Sequence, residues 1–301
     1  MITQTVIALW HRALGELHES ERPLKDTVLL QAVTLAACIG LYGGLKLTIN
    51  NAHLMRGAFR ASIHGGLPLA AVVLWWLWRQ RSDGERTGAL PVLCAILGTA
   101  MVAAPMVARL AGGGVIHSIK PYSSLFFLNV VAGFGLLYAG ALLGRMRLDD
   151  FGLGLGDWRW WLPRSLLAAV IIFVGPFIAI QIFSDLAEFY PSSRAARHDF
   201  GALLESQLGM FIGIFGWEML FRGVLLWVFA RRGDIKGAIE ANAIIFFLGH
   251  IDKPASEMFL SLPGGVIACW FGWRAGSFVP IWLLHSLQLF TINLAGFWMR
   301  M

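Results

Sequence analysis

The sequence predicts an all-α bundle that crosses a membrane many times, and three observations carry that prediction. Apolar side chains make up 57% of the 301 residues and charged ones only 14%, against about 25% charged in soluble domains. Runs of about 20 apolar residues recur along the chain, the length an α-helix needs to span hydrocarbon. The alternating segments of about ten residues that mark a membrane β-barrel are missing.

The first 19 residues stand apart. Ile2, Val6, Leu9, Trp10, Ala13, Leu14 and Leu17 recur at helical spacing, with His11, Arg12, Glu16 and Glu19 opposite. This pattern predicts an amphipathic helix lying in the membrane interface; it lacks the apolar core and cleavage pattern of a signal peptide. Apolar spans follow near 27–47, 61–78, 88–108, 123–144, 164–184, 207–229, 237–251, 257–273 and 278–298. The seventh and eighth are short, so one is a candidate broken or re-entrant span, and the expected count is eight or nine.

Residues 1–144 therefore form an amphipathic helix and a four-span front half, and residues 145–301 a second unit that holds the candidate chemistry. Between them runs Arg145–Pro163, rich in Trp, Gly and charge. Trp158, Trp160 and Trp161 suit a membrane interface, where an amphipathic ring is half wet. A second polar stretch, Asp185–Ser206, reads as a short surface helix and turn that could cover a site.

The net charge of +6 comes from loop Lys and Arg, with no basic cluster apart from the membrane flanks. That excludes a nucleic-acid role. With nine spans, 14 loop Lys and Arg fall on the N-terminal side of the membrane and 9 on the other, which predicts a cytoplasmic N-terminus. Cys38, Cys94 and Cys269 all lie in apolar spans and give neither a disulfide framework nor zinc-ligand spacing.

Glu218 and Arg222 are the most informative residues. They sit inside Gln207–Phe229, a stretch otherwise too apolar to hold them. Four residues apart, they share a helix face. A charge at bilayer depth costs roughly 2.5–3.5 kcal/mol even on lenient scales. His250 ends the seventh span, followed by Lys253, Pro254 and Glu257. His285 lies in the ninth, with Gln288 and Asn293 after it. A carboxylate and an imidazole sharing a water can act as base and acid in hydrolysis. A second imidazole or an amide could stabilise an oxyanion. Glu218, His250 and His285 are also a His₂Glu set like that of a catalytic zinc site, the alternative cofactor reading, although His-Glu-x-x-His spacing is absent.

The motifs Glu218-x-x-x-Arg222, Phe246-x-x-x-His250 and His285, in this order, resemble the CAAX-protease and bacteriocin-processing family of glutamic intramembrane endopeptidases. Asp150-Phe151-Gly152-Leu153-Gly154-Leu155 is similar to the family's lead-in segment, and the resemblance covers roughly 145–295. Two positions depart: the first glutamate of the family's Glu-Glu-x-x-x-Arg motif is Trp217, and the Asn or Asp after the last His falls at Leu289. A bacterial subgroup, with Gly-Trp-Glu and His-x-x-Lys-Pro-x-x-Glu, is closer to this chain. The resemblance implies metal-free hydrolysis of a peptide bond in a membrane-anchored or C-terminal-tail substrate, in a bacterial inner membrane and without a cofactor. Glu218 with His250 would activate water, Arg222 would fix Glu218, His285 would stabilise the oxyanion, and Glu257 is the candidate second acid. The alternative is an inactive scaffold of the same family that binds partner proteins, a reading to which Trp217 gives weight.

Overall fold

Among the described residues every regular element is helical. The computed structural model describes residues 24–50, 58–59, 62–67, 69–70, 73, 89–111, 124–143, 152–230, 235–251 and 253–301. The interfacial helix expected over the first 19 residues lies outside them, as do Asp150 and Phe151 of the lead-in segment.

In chain order the helices are α1 (Leu24–Thr48), α2 (Ala89–Ala111), α3 (Ser124–Leu143), α4 (Trp158–Ile182), the short α5 (Ser184–Phe189), α6 (Phe200–Glu218), α7 (Leu226–Ala230), α8 (Ile235–Leu248), α9 (Ala255–Ala275) and α10 (Val279–Trp298). A π-helical segment, Met219–Leu225, joins α6 to α7 without a break. Among the described residues three stretches are long and apolar enough to cross a membrane: Trp158–Ile182, Phe200–Leu225 and Val279–Trp298. Shorter apolar stretches lie in α1, α2 and α3. Helix α8 has 14 residues, a length of about 21 Å, which falls short of the roughly 30 Å hydrocarbon core. The shortness expected of the seventh span is real, and the chain turns at Gly249–His250 directly after it.

Helices α2 and α3 pack backbone to backbone, because Gly98, Gly133 and Gly140 leave no side chain between them. Helix α10 packs on α4 and α6, and α8 packs on α9 and α1. One contact between α4 and α10 answers a gap that a proline leaves. A proline inside a helix removes the N–H that would satisfy the carbonyl four residues earlier. For Pro176 that carbonyl belongs to Ile172, and Thr291 Oγ1 of α10 lies 3.1 Å from it. In lipid no water can do this, so the partner must come from the protein.

The lead-in segment forms an elbow sewn to the α9–α10 turn. Gly276, at φ +66°, caps α9 in the left-handed conformation that glycine adopts without a Cβ clash. Ser277 Oγ donates to the Gly154 carbonyl at 2.6 Å, and the Phe278 N–H donates to that of Gly152 at 3.0 Å. The Asp157 N–H reaches the Ala275 carbonyl at 2.8 Å, and the Asp157 side chain then caps α4 by accepting from the Trp160 N–H. Gly156 has φ +59°, and a Cβ there would overlap the Ala275 carbonyl. Gly156→Ala is therefore expected to destabilise the protein by about 1–3 kcal/mol through strain at a positive-φ residue. Thermal unfolding in detergent measures the loss, and an unchanged midpoint would show that the elbow does not fix the α9–α10 turn.

Candidate active site

The site is built where α6, α8 and α10 meet. Glu218 ends α6, and Arg222 lies one turn on in the π-helical segment. Single-turn π segments accommodate an extra residue and are frequent at functional sites. Glu218 is 0% exposed and Arg222 1%. Arg222 Nη1 donates to Glu218 Oε1 at 3.2 Å and lies 3.1 Å from Oε2. The second approach is an ion pair off the hydrogen-bond direction, so Oε2 has no hydrogen-bond partner. His285, from α10, places Nδ1 2.5 Å from Glu218 Oε1. A carboxylate only accepts, so this Nδ1 carries the proton and Nε2 is left for other chemistry. His285 is 17% exposed, which makes it the member of the cluster that meets the outside.

Phe246 of α8 is the hub. The Arg222 guanidinium lies 4.0 Å from its ring centre, the His250 ring lies 4.5 Å from it at a tilt of 60°, and His285 is 6.2 Å away. The Phe246 carbonyl accepts from His250 Nδ1 at 2.8 Å, which leaves Nε2 of that ring as an acceptor in the neutral tautomer. Trp217 stacks on Phe221 at 5.0 Å and meets the His250 ring edge-on at 6.5 Å. One turn before His285, Trp282 donates to the Phe211 carbonyl at 2.9 Å and packs on Phe211 and Phe215.

Glu257 belongs to a neighbouring cluster. Its Oε2 accepts from the Tyr190 hydroxyl at 2.7 Å and its Oε1 is 3.3 Å from Lys253 Nζ. Burial first, then the Glu257 carboxylate, raises the Tyr190 pKa well above its ordinary value, so the phenol stays a donor. Tyr190 comes from the 183–199 strap, which covers the first part of the Asp185–Ser206 stretch expected to be a short surface helix and turn; from Phe200 on, that stretch belongs to α6. Arg197 donates to the Pro191, Glu188 and Phe189 carbonyls, and Arg300 to those of Ala187, Glu188 and Tyr190. Asn293 Oδ1 accepts from the Ser192 N–H at 2.9 Å. Asn293 is thus committed to the strap, and Gln288 is exposed; neither lies against Glu218. Asp185 takes the Ser256 N–H at 2.9 Å and the Ser256 hydroxyl at 2.9 Å, tying the strap to the start of α9.

Sequence reasoning missed Asn242 and Tyr190. Asn242 donates to the Phe221 carbonyl inside the π-helical segment at 2.8 Å and accepts from Cys269 at 3.1 Å. A lone amide within an apolar run was the available signal. Tyr190, in a polar stretch, gave none. Among the described residues no three His, Cys, Asp or Glu side chains converge closely enough to hold a metal ion, and Arg222 lies against the carboxylate where a cation would have to sit.

The fold and the buried polar cluster define an integral membrane protein built of helices, with ionisable groups gathered in its interior. A protein-family model described as type II CAAX prenyl endopeptidase Rce1-like matches residues 200–291. That segment contains Glu218, Arg222, His250, Glu257 and His285, and the match bears out the resemblance to the CAAX-protease family read from the motifs. No curated protein and no solved structure matches the chain.

The strap gives a pH test. The Ser256 backbone N–H, foremost, holds the Asp185 carboxyl below its ordinary value, and the Ser256 hydroxyl adds to this. A depressed carboxyl contributes stability that is full above its unfolded value, about 3.9, and is lost as pH falls through the folded one. The protection factor of the Ser256 amide, its exchange relative to an unstructured amide at the same pH, should fall on acidification below that range, and Asp185→Asn should remove the step. A protection factor that stays constant across it would contradict this anchoring.

Proposed function

We propose that this protein is an intramembrane endopeptidase that hydrolyses a peptide bond in a membrane-anchored or C-terminal-tail substrate. The observation that carries the reading is the buried Glu218 carboxylate bonded to Nδ1 of the partly exposed His285. A carboxylate so placed fixes the imidazole tautomer and stabilises the imidazolium that forms, as the acid of a Ser-His-Asp triad does. The family match supports peptide hydrolysis as the class of reaction.

Glu218 has no surface that water can touch, so the division of labour follows from access. His285 Nε2 takes a proton from a water whose oxygen attacks the substrate carbonyl carbon. The imidazolium then faces the tetrahedral oxyanion as its counter-charge, which keeps the oxyanion role expected of His285. As the C–N bond breaks, the proton passes from His285 to the leaving amine nitrogen. Arg222 pairs with Glu218 and holds it in place. His250 Nε2 is a second proton acceptor beside the same Phe246 ring. Glu257, with both oxygens engaged, holds Lys253 and the strap.

One observation favours the scaffold reading. A carboxylate that is fully buried and paired to two partners also suits a purely structural role, with Trp217 closing the position of the absent glutamate. Activity separates the two. Purified protein should cleave membrane-anchored peptides, and His285→Ala or Glu218→Gln should lower kcat by about 10²–10⁴-fold, the range for a general base. Chelators should leave the rate unchanged. Cleavage that survives His285→Ala would sink this mechanism. Absence of cleavage across a peptide library, with partner proteins co-purifying equally with wild type and both variants, would favour the scaffold.

A further inference from the structure

A pair of arginines stands at the strap end of the bundle, beyond the end of α10 that is farther from His285. Arg197 Nη2 donates to the Glu188 carbonyl at 3.1 Å, and Arg300 Nη2 reaches the same oxygen at 3.3 Å. One oxygen thus holds both guanidinium groups, and their Nη2 atoms are no farther apart than those two bonds laid end to end. Their other bonds also go to main-chain carbonyls, those of Pro191 and Phe189 for Arg197 and of Ala187 and Tyr190 for Arg300. Carbonyls satisfy N–H groups but carry no net charge. Among the described residues neither arginine has a carboxylate within ion-pair distance. Nη1 of both, and Nε of Arg300, make no hydrogen bond there. Arg300 is exposed and Arg197 partly so. Like charges held this close repel, and an anion that reaches their free N–H groups removes the repulsion through charge-assisted bonds.

What lies beside the pair says what kind of anion. Phe177, Phe200, Leu294, Phe297, Trp298 and Met301 line a groove of about 560 Å³ between α4, α6 and the end of α10, within the roughly 300–1,000 Å³ of small-molecule sites. All six are apolar. Both arginines adjoin it: Arg300 lies between Trp298 and Met301 in the chain, and Ala196, next to Arg197, is buried in one cluster with Phe297. The apolar surface continues along both walls. On α4 the exposed Phe173 meets Phe177 at 6.0 Å between ring centres. On α6 Leu204 and Leu208 follow Phe200 at spacings of four, on one helix face, and both are exposed. Both helices belong to stretches long and apolar enough to cross a membrane, so the walls run into hydrocarbon. Paired cations at the mouth of such a groove match a phospholipid in charge and shape. A soluble phosphate would use the cations and leave the groove bare. We propose that Arg197 and Arg300 bind the headgroup of an anionic phospholipid, one acyl chain of which fills the groove between Phe177, Phe200 and Phe297. This site is independent of the hydrolytic reading.

The test is native mass spectrometry of the full chain in detergent, loaded with phosphatidylglycerol or with phosphatidylcholine of the same acyl chains. Wild type should retain phosphatidylglycerol in preference, and glycerol phosphate without acyl chains should not displace it. Arg197→Gln and Arg300→Gln should each weaken retention about fivefold, the value of roughly 1 kcal/mol per basic side chain near an anionic surface. Both arginines also hold the strap, so Phe200→Glu is the companion variant. It puts a carboxylate in the groove, replaces no arginine and suits the first turn of α6. It should weaken phosphatidylglycerol retention by at least as much. Equal retention of the two lipids by wild type would overturn the proposal. So would undiminished phosphatidylglycerol retention in Phe200→Glu or in the folded double glutamine variant, or displacement by glycerol phosphate alone. If the glutamine variants fail to fold, the wild-type lipid preference and Phe200→Glu decide.

Discussion

The rest of the structure depends on one shared carboxylate. Glu218 stands inside a membrane-spanning stretch with no exposed surface, and an isolated carboxylate there would cost several kcal/mol after relaxation. Arg222 and His285 offset that cost. Meeting both partners dictates where helices go. Arg222 must come from the same helix one turn on, and His285 must be delivered by α10. The π-helical segment that holds Arg222 is braced by Asn242 from α8, and Phe246 of α8 lies under the guanidinium. Three helices are therefore positioned by one buried charge and the groups that answer it.

Delivery of His285 is a matter of satisfied backbone. Helix α10 begins at the turn sewn to the glycine elbow. Midway it approaches the carbonyl that Pro176 leaves open in α4. Near its end Gly296 lets the strap backbone come close, with a Cβ there only 2.6 Å from the Tyr190 carbonyl. Asn293 and Arg300 hold the same strap. In water the Ile172 carbonyl would find partners anywhere; in a bilayer its partner must be built in. The result is a rigid α10, and rigidity is what a base needs if its ring nitrogen is to stay aligned with a carboxylate.

Much of the site was legible in the sequence, for a physical reason. Glu218, Arg222, His250 and His285 are conspicuous because charge and imidazole are expensive among apolar residues, and the structure brings them around Phe246. The all-helical class follows as directly from composition. Pairing was not legible. Nothing in the spacing says that Glu257 faces Tyr190 and Lys253, because that contact depends on a strap 67 residues away in sequence. Asn293 looked like a candidate amide from its distance along α10, yet it serves the strap, since the helix face that carries it is turned toward Ser192. The short α8 was visible as a short apolar run, whereas the π-helical segment has no sequence signal.

The most direct test is a double-mutant cycle on unfolding free energy with Arg222→Met and Glu218→Leu. If the shared carboxylate organises the bundle, Arg222→Met alone should cost about 3–5 kcal/mol, because it strands a buried charge. Adding Glu218→Leu should then recover more than half of that loss, because an apolar pair of similar bulk removes the stranded charge. Losses that simply add, with no recovery in the double variant, would contradict the account and reduce the cluster to a local contact.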